Sequence, residues 1–268
     1  MSNDAPIGMF DSGIGGLTIA KALLQRLPGE SLCYVGDTAH MPYGEKSPER
    51  LKEYATGIAQ RLLDHGCKAL VVACNSASSN ALDEVRALAG PNVPVVDVVR
   101  PVVEWMAVRH PKGELGLIGT RATVQSGMYR ELLLAHGLTV TSRETPLLAS
   151  AIEEGFHNGT ISSAVVEAYF ADGWAARMDA LVLACTHYPL VADDIRALLP
   201  PTVDVLDAPK IVARAVEDAL AACGKRSIAE APKRRFEVTD WTQSFADGAI
   251  HILGESVNLI EAPWPEAH

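Results

Sequence analysis

Short aliphatic runs alternate with longer amphipathic stretches along this 268-residue chain, a rhythm that predicts an α/β protein whose mostly parallel sheets are flanked by helices. An internal echo narrows the expectation to two similar domains. Ala69-Leu-Val-Val-Ala-Cys74 matches Ala180-Leu-Val-Leu-Ala-Cys185 at five of six positions, and Ile7-Gly-Met-Phe10 resembles Leu115-Gly-Leu-Ile118. The segments recur in the same order, with 67 residues from Ile7 to Cys74 and 70 from Leu115 to Cys185. Two matches at nearly equal separation indicate a duplicated half. Functional groups in parallel sheets gather at the carboxyl ends of the strands, so the active site is expected in the cleft between the two domains.

In chain order, the predicted strands are Ile7–Phe10, Leu32–Val35, Ala69–Ala73, Val93–Val99, Leu115–Ile118, Leu138–Val140, Ala180–Ala184 and Val203–Leu206. The clearest helix opens at Ser47-Pro48, an N-cap and a first helical residue, and places Leu51, Tyr54, Ala55, Ile58 and Leu62 on one face. A later helix is expected over Ile211–Ala222, followed by apolar segments around Phe236 and Ile250–Leu253. The Lys225–Arg235 stretch, with Pro232 and three successive basic residues, reads as a solvated loop. The seam between halves is placed near Arg100-Pro101 and the return crossing at Asp207–Pro209. This gives a discontinuous first domain (1–99 plus 210–268) and a second spanning 100–209.

Composition excludes several classes of function. The net charge of −10 argues against a nucleic-acid groove and an anionic membrane surface. The first residues lack the basic and apolar regions of a signal peptide, and no apolar run approaches the length of a membrane span. Five cysteines, none in a Cys-x-x-Cys pair, are neither a disulfide framework nor the spacing of a structural zinc site. A cytoplasmic protein with reduced thiols and no metal is the expectation. The opening loop, Gly13-Ile-Gly-Gly-Leu-Thr18, fails the dinucleotide fingerprint at its last position, and there is no Gly-Lys-Ser/Thr phosphate loop.

Cys74 ends a buried strand and precedes Asn-Ser-Ala-Ser, which reads as a helix start whose N–H groups favour a thiolate. An unperturbed thiol is only about 3% ionised at pH 7. A lone cysteine at such a place is more often an inert buried thiol, and Cys33, Cys67 and Cys223 take that reading. Cys185 changes the balance for Cys74 because it repeats the arrangement and is followed by Thr186-His187-Tyr188-Pro189. Two thiols facing each other across a cleft match what racemisation requires: one base removes the Cα proton and an acid on the opposite face delivers another. A cycling disulfide is the rival use of such a pair. Asp11 is read equally as a partner for a substrate ammonium or thiol and as a helix N-cap; His187 as a proton partner of Cys185 or a turn residue; Glu153-Glu154 as a solvated pair.

Taken together, Asp11-Ser12-Gly13, Pro42-Tyr43-Gly44, Ala73-Cys74-Asn75-Ser76-Ala77-Ser78, Gly119-Thr120-Arg121-Ala122-Thr123 and Cys185-Thr186-His187-Tyr188-Pro189 resemble the signatures of the bacterial glutamate racemases, in their order. The resemblance runs from about residue 6 to 260. It implies a cofactor-independent enzyme that interconverts L- and D-glutamate and supplies the D-amino acid for peptidoglycan. It also implies Cys74 and Cys185 as the acid/bases, Asp11 assisting the first and His187 the second, and Glu153 as a carboxylate near Cys185. Ser12, Tyr43, Gly44, Asn75, Ser76, Thr123 and Thr186 are implied as substrate contacts, alongside Asp11 and His187. Many members of the family are dimers, so a homodimer is among the expected assemblies. Ser76 stands where threonine is usual, and Ala184 where glycine is common. An aspartate or hydantoin racemase, a binding protein and a thiol redox protein are the alternatives.

Overall fold

The computed structural model describes residues 3–156 and 159–264. Ten strands occur among them: β1 Ile7–Asp11, β2 Leu32–Gly36, β3 Ala69–Val72, β4 Val95–Asp97, β5 Glu114–Gly119, β6 Thr139–Glu144, β7 Ala180–Ala184, β8 Asp204–Val205, β9 Arg234–Val238 and β10 Leu259–Glu261. The helices are α1 Leu17–Arg26, α2 Pro48–Asp64, α3 Asn75–Asn80, α4 Leu82–Ala89, α5 Arg100–Arg109, α6 Arg121–Gln125, α7 Met128–Ala135, α8 Pro146–Glu153, α9 Thr160–Phe170, α10 Ala192–Ala197, α11 Ala208–Ala222 and α12 Gln243–Leu253.

The strands form two parallel sheets. One runs β10-β9-β2-β1-β3-β4 and the other β6-β5-β7-β8. Set β1 to β4 beside β5 to β8 and the order is the same. The registers agree as well: Ile7 pairs with Ala69 in the first sheet and Leu115 with Ala180 in the second. The sequence echo is therefore a repeat of topology and of residue alignment. β1, β3 and β7 are buried along their length, which is why these segments read as continuous apolar runs. β9 and β10, from the end of the chain, extend the first sheet beyond β2, and α11 packs on α1.

Local chemistry sets the element boundaries. Ser47 caps α2 by accepting the Arg50 N–H, Pro48 sits in the first turn, and Leu51, Ala55, Ile58, Ala59 and Leu62 are buried. Burying each Leu or Ile contributes about 1.5–3 kcal/mol, so this face anchors the helix on the first sheet. Tyr54 lies at the margin of that face. The chain leaves α2 through Gly66 at φ 73°, a left-handed conformation suited to glycine.

The fourth predicted strand is shorter than expected, because the Asp97 side chain accepts the N–H groups of Val99 and Arg100 and turns the chain into α5. The Lys225–Arg235 reading needs correction. Arg234 and Arg235 open β9, pairing with Leu32 and Cys33 of β2, and their side chains meet Glu255 and Glu237. α11 also begins earlier than predicted, at Ala208. No helix among the described residues is long and apolar enough to cross a membrane.

Candidate active site

Cys185 directly follows β7 and Cys74 follows the equivalent strand β3 after Ala73, and both line one narrow cavity at the carboxyl ends of the two sheets. Space for water-sized molecules there amounts to about 40 Å³. Ser12, Tyr43, Gly44, Asn75, Ser76, Glu153, Thr186 and His187 share its wall. Each sulfur closes a separate apolar cluster, Cys74 with Tyr43 and Leu51, Cys185 with Ile118 and Tyr188. Both are 6% exposed or less.

The surroundings of the two sulfurs differ. Around Cys185, His187 Nδ1 lies 3.4 Å from the sulfur and Nε2 lies 2.5 Å from Glu153 Oε1. Burial works against an imidazolium here, but the Glu153 carboxylate and the Cys185 sulfur outweigh it and hold His187 well above the usual imidazole range. A protonated ring donates at both nitrogens, so one N–H meets the carboxylate and the other points to the Cys185 sulfur. Glu153 closes α8 with its side chain largely shielded, while Glu154 is exposed. The expected solvated pair is thus split between a buried and an exposed member.

Around Cys74, no histidine among the described residues plays the part that His187 plays at Cys185. Burial pushes its thiol well up, the nearby Asp11 carboxylate adds to this, and the Ala77 N–H at the start of α3 works the other way. Asp11 is itself raised, chiefly by burial, against the opposing charge of His187 and the Gly16 N–H. Its Oδ2 accepts the Gly16 N–H at 2.7 Å and the Thr186 hydroxyl at 3.4 Å. Its Oδ1 is buried without a hydrogen-bond partner. Asp11 is not the N-cap of α1, which is Gly16, but its carboxylate accepts the Gly16 N–H and lies near the Cys74 thiol.

Two predicted contacts sit one layer behind the wall. Asp11 does not line the cavity, and Thr123 lies behind Ser76, at 3.5 Å between hydroxyls. Thr120 is at the wall instead, 2.9 Å from the Ser76 hydroxyl. Sequence reasoning also passed over Asp37, which accepts the Tyr43 hydroxyl at 2.5 Å, the Thr239 hydroxyl at 2.8 Å and the Trp264 indole N–H at 2.6 Å. Its position after β2, equivalent to the thiol positions after β3 and β7, was the available signal.

Comparison with known proteins completes the picture. The family described as Asp/Glu/Hydantoin racemase matches residues 17–216. The chain belongs to that racemase family. A glutamate racemase of Corynebacterium diphtheriae is 37% identical over 261 residues, covering 97% of this chain and 98% of the relative. The crystal structure of glutamate racemase from Francisella tularensis in complex with D-glutamate superimposes with a TM-score of 0.91 at 33% identity, covering 99% of this chain and 100% of the other. That of Thermus thermophilus, in complex with β-chloro-D-alanine, gives 0.85 at 38% identity, with 98% of each chain covered. The protein is accordingly an amino-acid racemase, an isomerase, with the two-sheet α/β architecture of these structures.

Proposed function

We propose that this racemase interconverts L- and D-glutamate, with Cys74 and Cys185 as the two bases and without a cofactor. The observation that carries the reading is that the two thiols close equivalent strands, in equal register, on one cavity. Its substrate is inferred from the relatives, which are glutamate racemases, one of them holding D-glutamate.

The mechanism begins with a thiolate at Cys185, beside His187, and a neutral thiol at Cys74, whose ionisation burial opposes. Glutamate entering with its Cα–H toward Cys185 gives its proton to that thiolate, and Cys74 delivers its own proton to the other face. After product leaves, Cys185 gives up its proton to solvent past the His187 ring, and Cys74 regains one from solvent by way of Asp11, which resets the pair. The opposite enantiomer runs the sequence in reverse. Each positioned acid/base of this kind typically contributes about 10²–10⁴-fold. The hydroxyls and amide of Ser12, Asn75, Ser76 and Thr186, with the Tyr43–Gly44 backbone, are suited to the substrate carboxylates. They take the place of water around the developing carbanion.

On this reading residues 1–99 and 210–268 act as one body and 100–209 as the other, opening to admit substrate. The product would serve as a cytoplasmic source of D-glutamate for peptidoglycan. Incubation with each enantiomer of glutamate in D₂O tests the proposal, followed by optical rotation and by NMR at Cα. Inversion with deuterium incorporation is expected, and Cys74→Ser and Cys185→Ser each abolish inversion. Inversion surviving in both variants would sink the two-thiol mechanism, and aspartate turned over as well as glutamate would sink the substrate.

A further inference from the structure

Away from the cleft, on the α2 side of the first sheet, three unlike side chains converge. The Cys33 sulfur, a His65 ring nitrogen and a Glu237 carboxylate oxygen all lie within 4.8 Å of one another. His65 Nε2 is 3.0 Å from Glu237 Oε1. Cys33 and Glu237 are buried, at 2% and 1% exposure, while His65 follows α2 at the surface. From these residues we propose a binding site for a thiophilic divalent metal ion of the zinc type.

A second observation points to a ligand. Glu237 Oε2 is buried and has no hydrogen-bond partner, the guanidinium of Arg61 being 4.0 Å away. An unpartnered carboxylate oxygen in the interior is destabilising unless something meets it. A surface recess of about 710 Å³, lined by Cys33, His65 and Arg235, leads to the cluster. A second thiol, Cys67, neighbours Cys33. Gly8 of β1 makes room for it, since a Cβ on Gly8 would lie 3.0 Å from the Cys67 sulfur.

Thiolate, imidazole and carboxylate form a donor set for zinc at bond lengths of about 2.0–2.3 Å. Around a tetrahedral ion such ligands stand roughly 3.3–3.7 Å apart, so side-chain shifts of about an ångström close the site. Cys67 or a water from the recess supplies the fourth ligand. Binding releases the Cys33 thiol proton to solvent and uses the neutral form of His65. Arg235, which now meets Glu237 Oε1, is about half exposed and can turn outward. The bound ion would cross-link β2, the end of α2 and the late strand β9. The ligands at 33, 65 and 237 lie far apart in the chain, so no spacing motif announces them.

Titration with Co²⁺ tests the site, using the Cys74→Ser/Cys185→Ser protein so that the cleft thiols cannot contribute. The expected result is a thiolate-to-cobalt charge-transfer band saturating at one equivalent, bleached by Zn²⁺, which N/S sites bind more tightly. Adding Cys33→Ser removes the band. Adding His65→Ala, a change at the surface, weakens Co²⁺ binding by at least about 10-fold, the loss typical even for groups that only support a ligand. Zn²⁺ raises the Tm of the double variant and does so less in the His65→Ala protein. No band at saturating Co²⁺, a band that survives Cys33→Ser, or affinity unchanged by His65→Ala would overturn the proposal. None of these outcomes depends on racemase activity.

Discussion

One oxygen of Glu153 joins the two halves of the molecule: Oε1 lies 2.5 Å from Nε2 of His187 and accepts the backbone N–H of Ile14 at 3.3 Å. The carboxylate that keeps His187 charged is therefore also a strut between the loop after β1 and the loop after β7. The Ser244 hydroxyl, on α12, adds a third tie by donating to the Glu153 carbonyl.

Glu153→Gln keeps the shape and removes the charge. Without the carboxylate, burial favours neutral His187, so its proton is lost at lower pH. The alkaline limb of kcat/KM for glutamate should move to lower pH, and the maximum should fall by roughly 100-fold, the low end of the range for a positioned acid/base. A pH–rate profile of both enantiomers checks this. An unmoved limb would mean that the carboxylate does not control the histidine.

Asp11→Asn should separate stability from activity. Asp11 has a raised folded-state pKa, so its ionised form opposes folding above the unfolded value of about 3.9. The wild type should lose stability relative to the variant as pH rises through that value, with the difference levelling off above the raised folded value. Asparagine removes the buried charge and still accepts the Gly16 N–H. Chemical denaturation across pH should show the variant more stable at neutral pH, with the gap vanishing in acid, while racemisation is reduced.

Gly15→Ala is expected to damage the site by volume alone. A Cβ there would stand 2.4 Å from Thr186 Oγ1 and 2.7 Å from His187 Nδ1, displacing the ring from Cys185. Overpacking of this kind costs about 1–3 kcal/mol, which denaturant unfolding will register, alongside a fall in kcat.

Asp37→Asn tests the support of the Tyr43 loop. Hydrogen bonds to a charged group are worth about 1.5–3 kcal/mol, and here the Tyr43, Thr239 and Trp264 donors converge on one carboxylate. Loss of stability in that range, with KM for glutamate rising more than kcat falls, is the expected pattern. Trp264→Phe should show a smaller version of it.

Much of this architecture was readable from residues alone, and the reasons are specific. Cys74 and Cys185 stood out because each ends a fully buried parallel strand, where aliphatic composition leaves little doubt about the element. Asp37 and Thr120 were hidden because their importance lies in what they touch, Tyr43 and Ser76, across gaps that sequence does not measure. β9 escaped because an added strand with Arg234, Arg235 and Glu237 carries too much charge to resemble its central neighbours. Its charged side chains find partners in Glu255 and His65 instead. Cys33 read as an inert thiol for the same reason: its companions come from two other parts of the chain.

The repeated register of the two sheets has a kinetic consequence. On the proposed mechanism it would present similar thiols to the two faces of one carbon, with unlike neighbours, Asp11 beside one and the His187–Glu153 pair beside the other. Mirror-image substrates have equal free energy in water, so the equilibrium constant between them is one. Whatever the helpers do, kcat/KM must then be the same in both directions. The difference between the halves can appear only as a trade between kcat and KM, and any substitution on one side must slow both directions of kcat/KM alike.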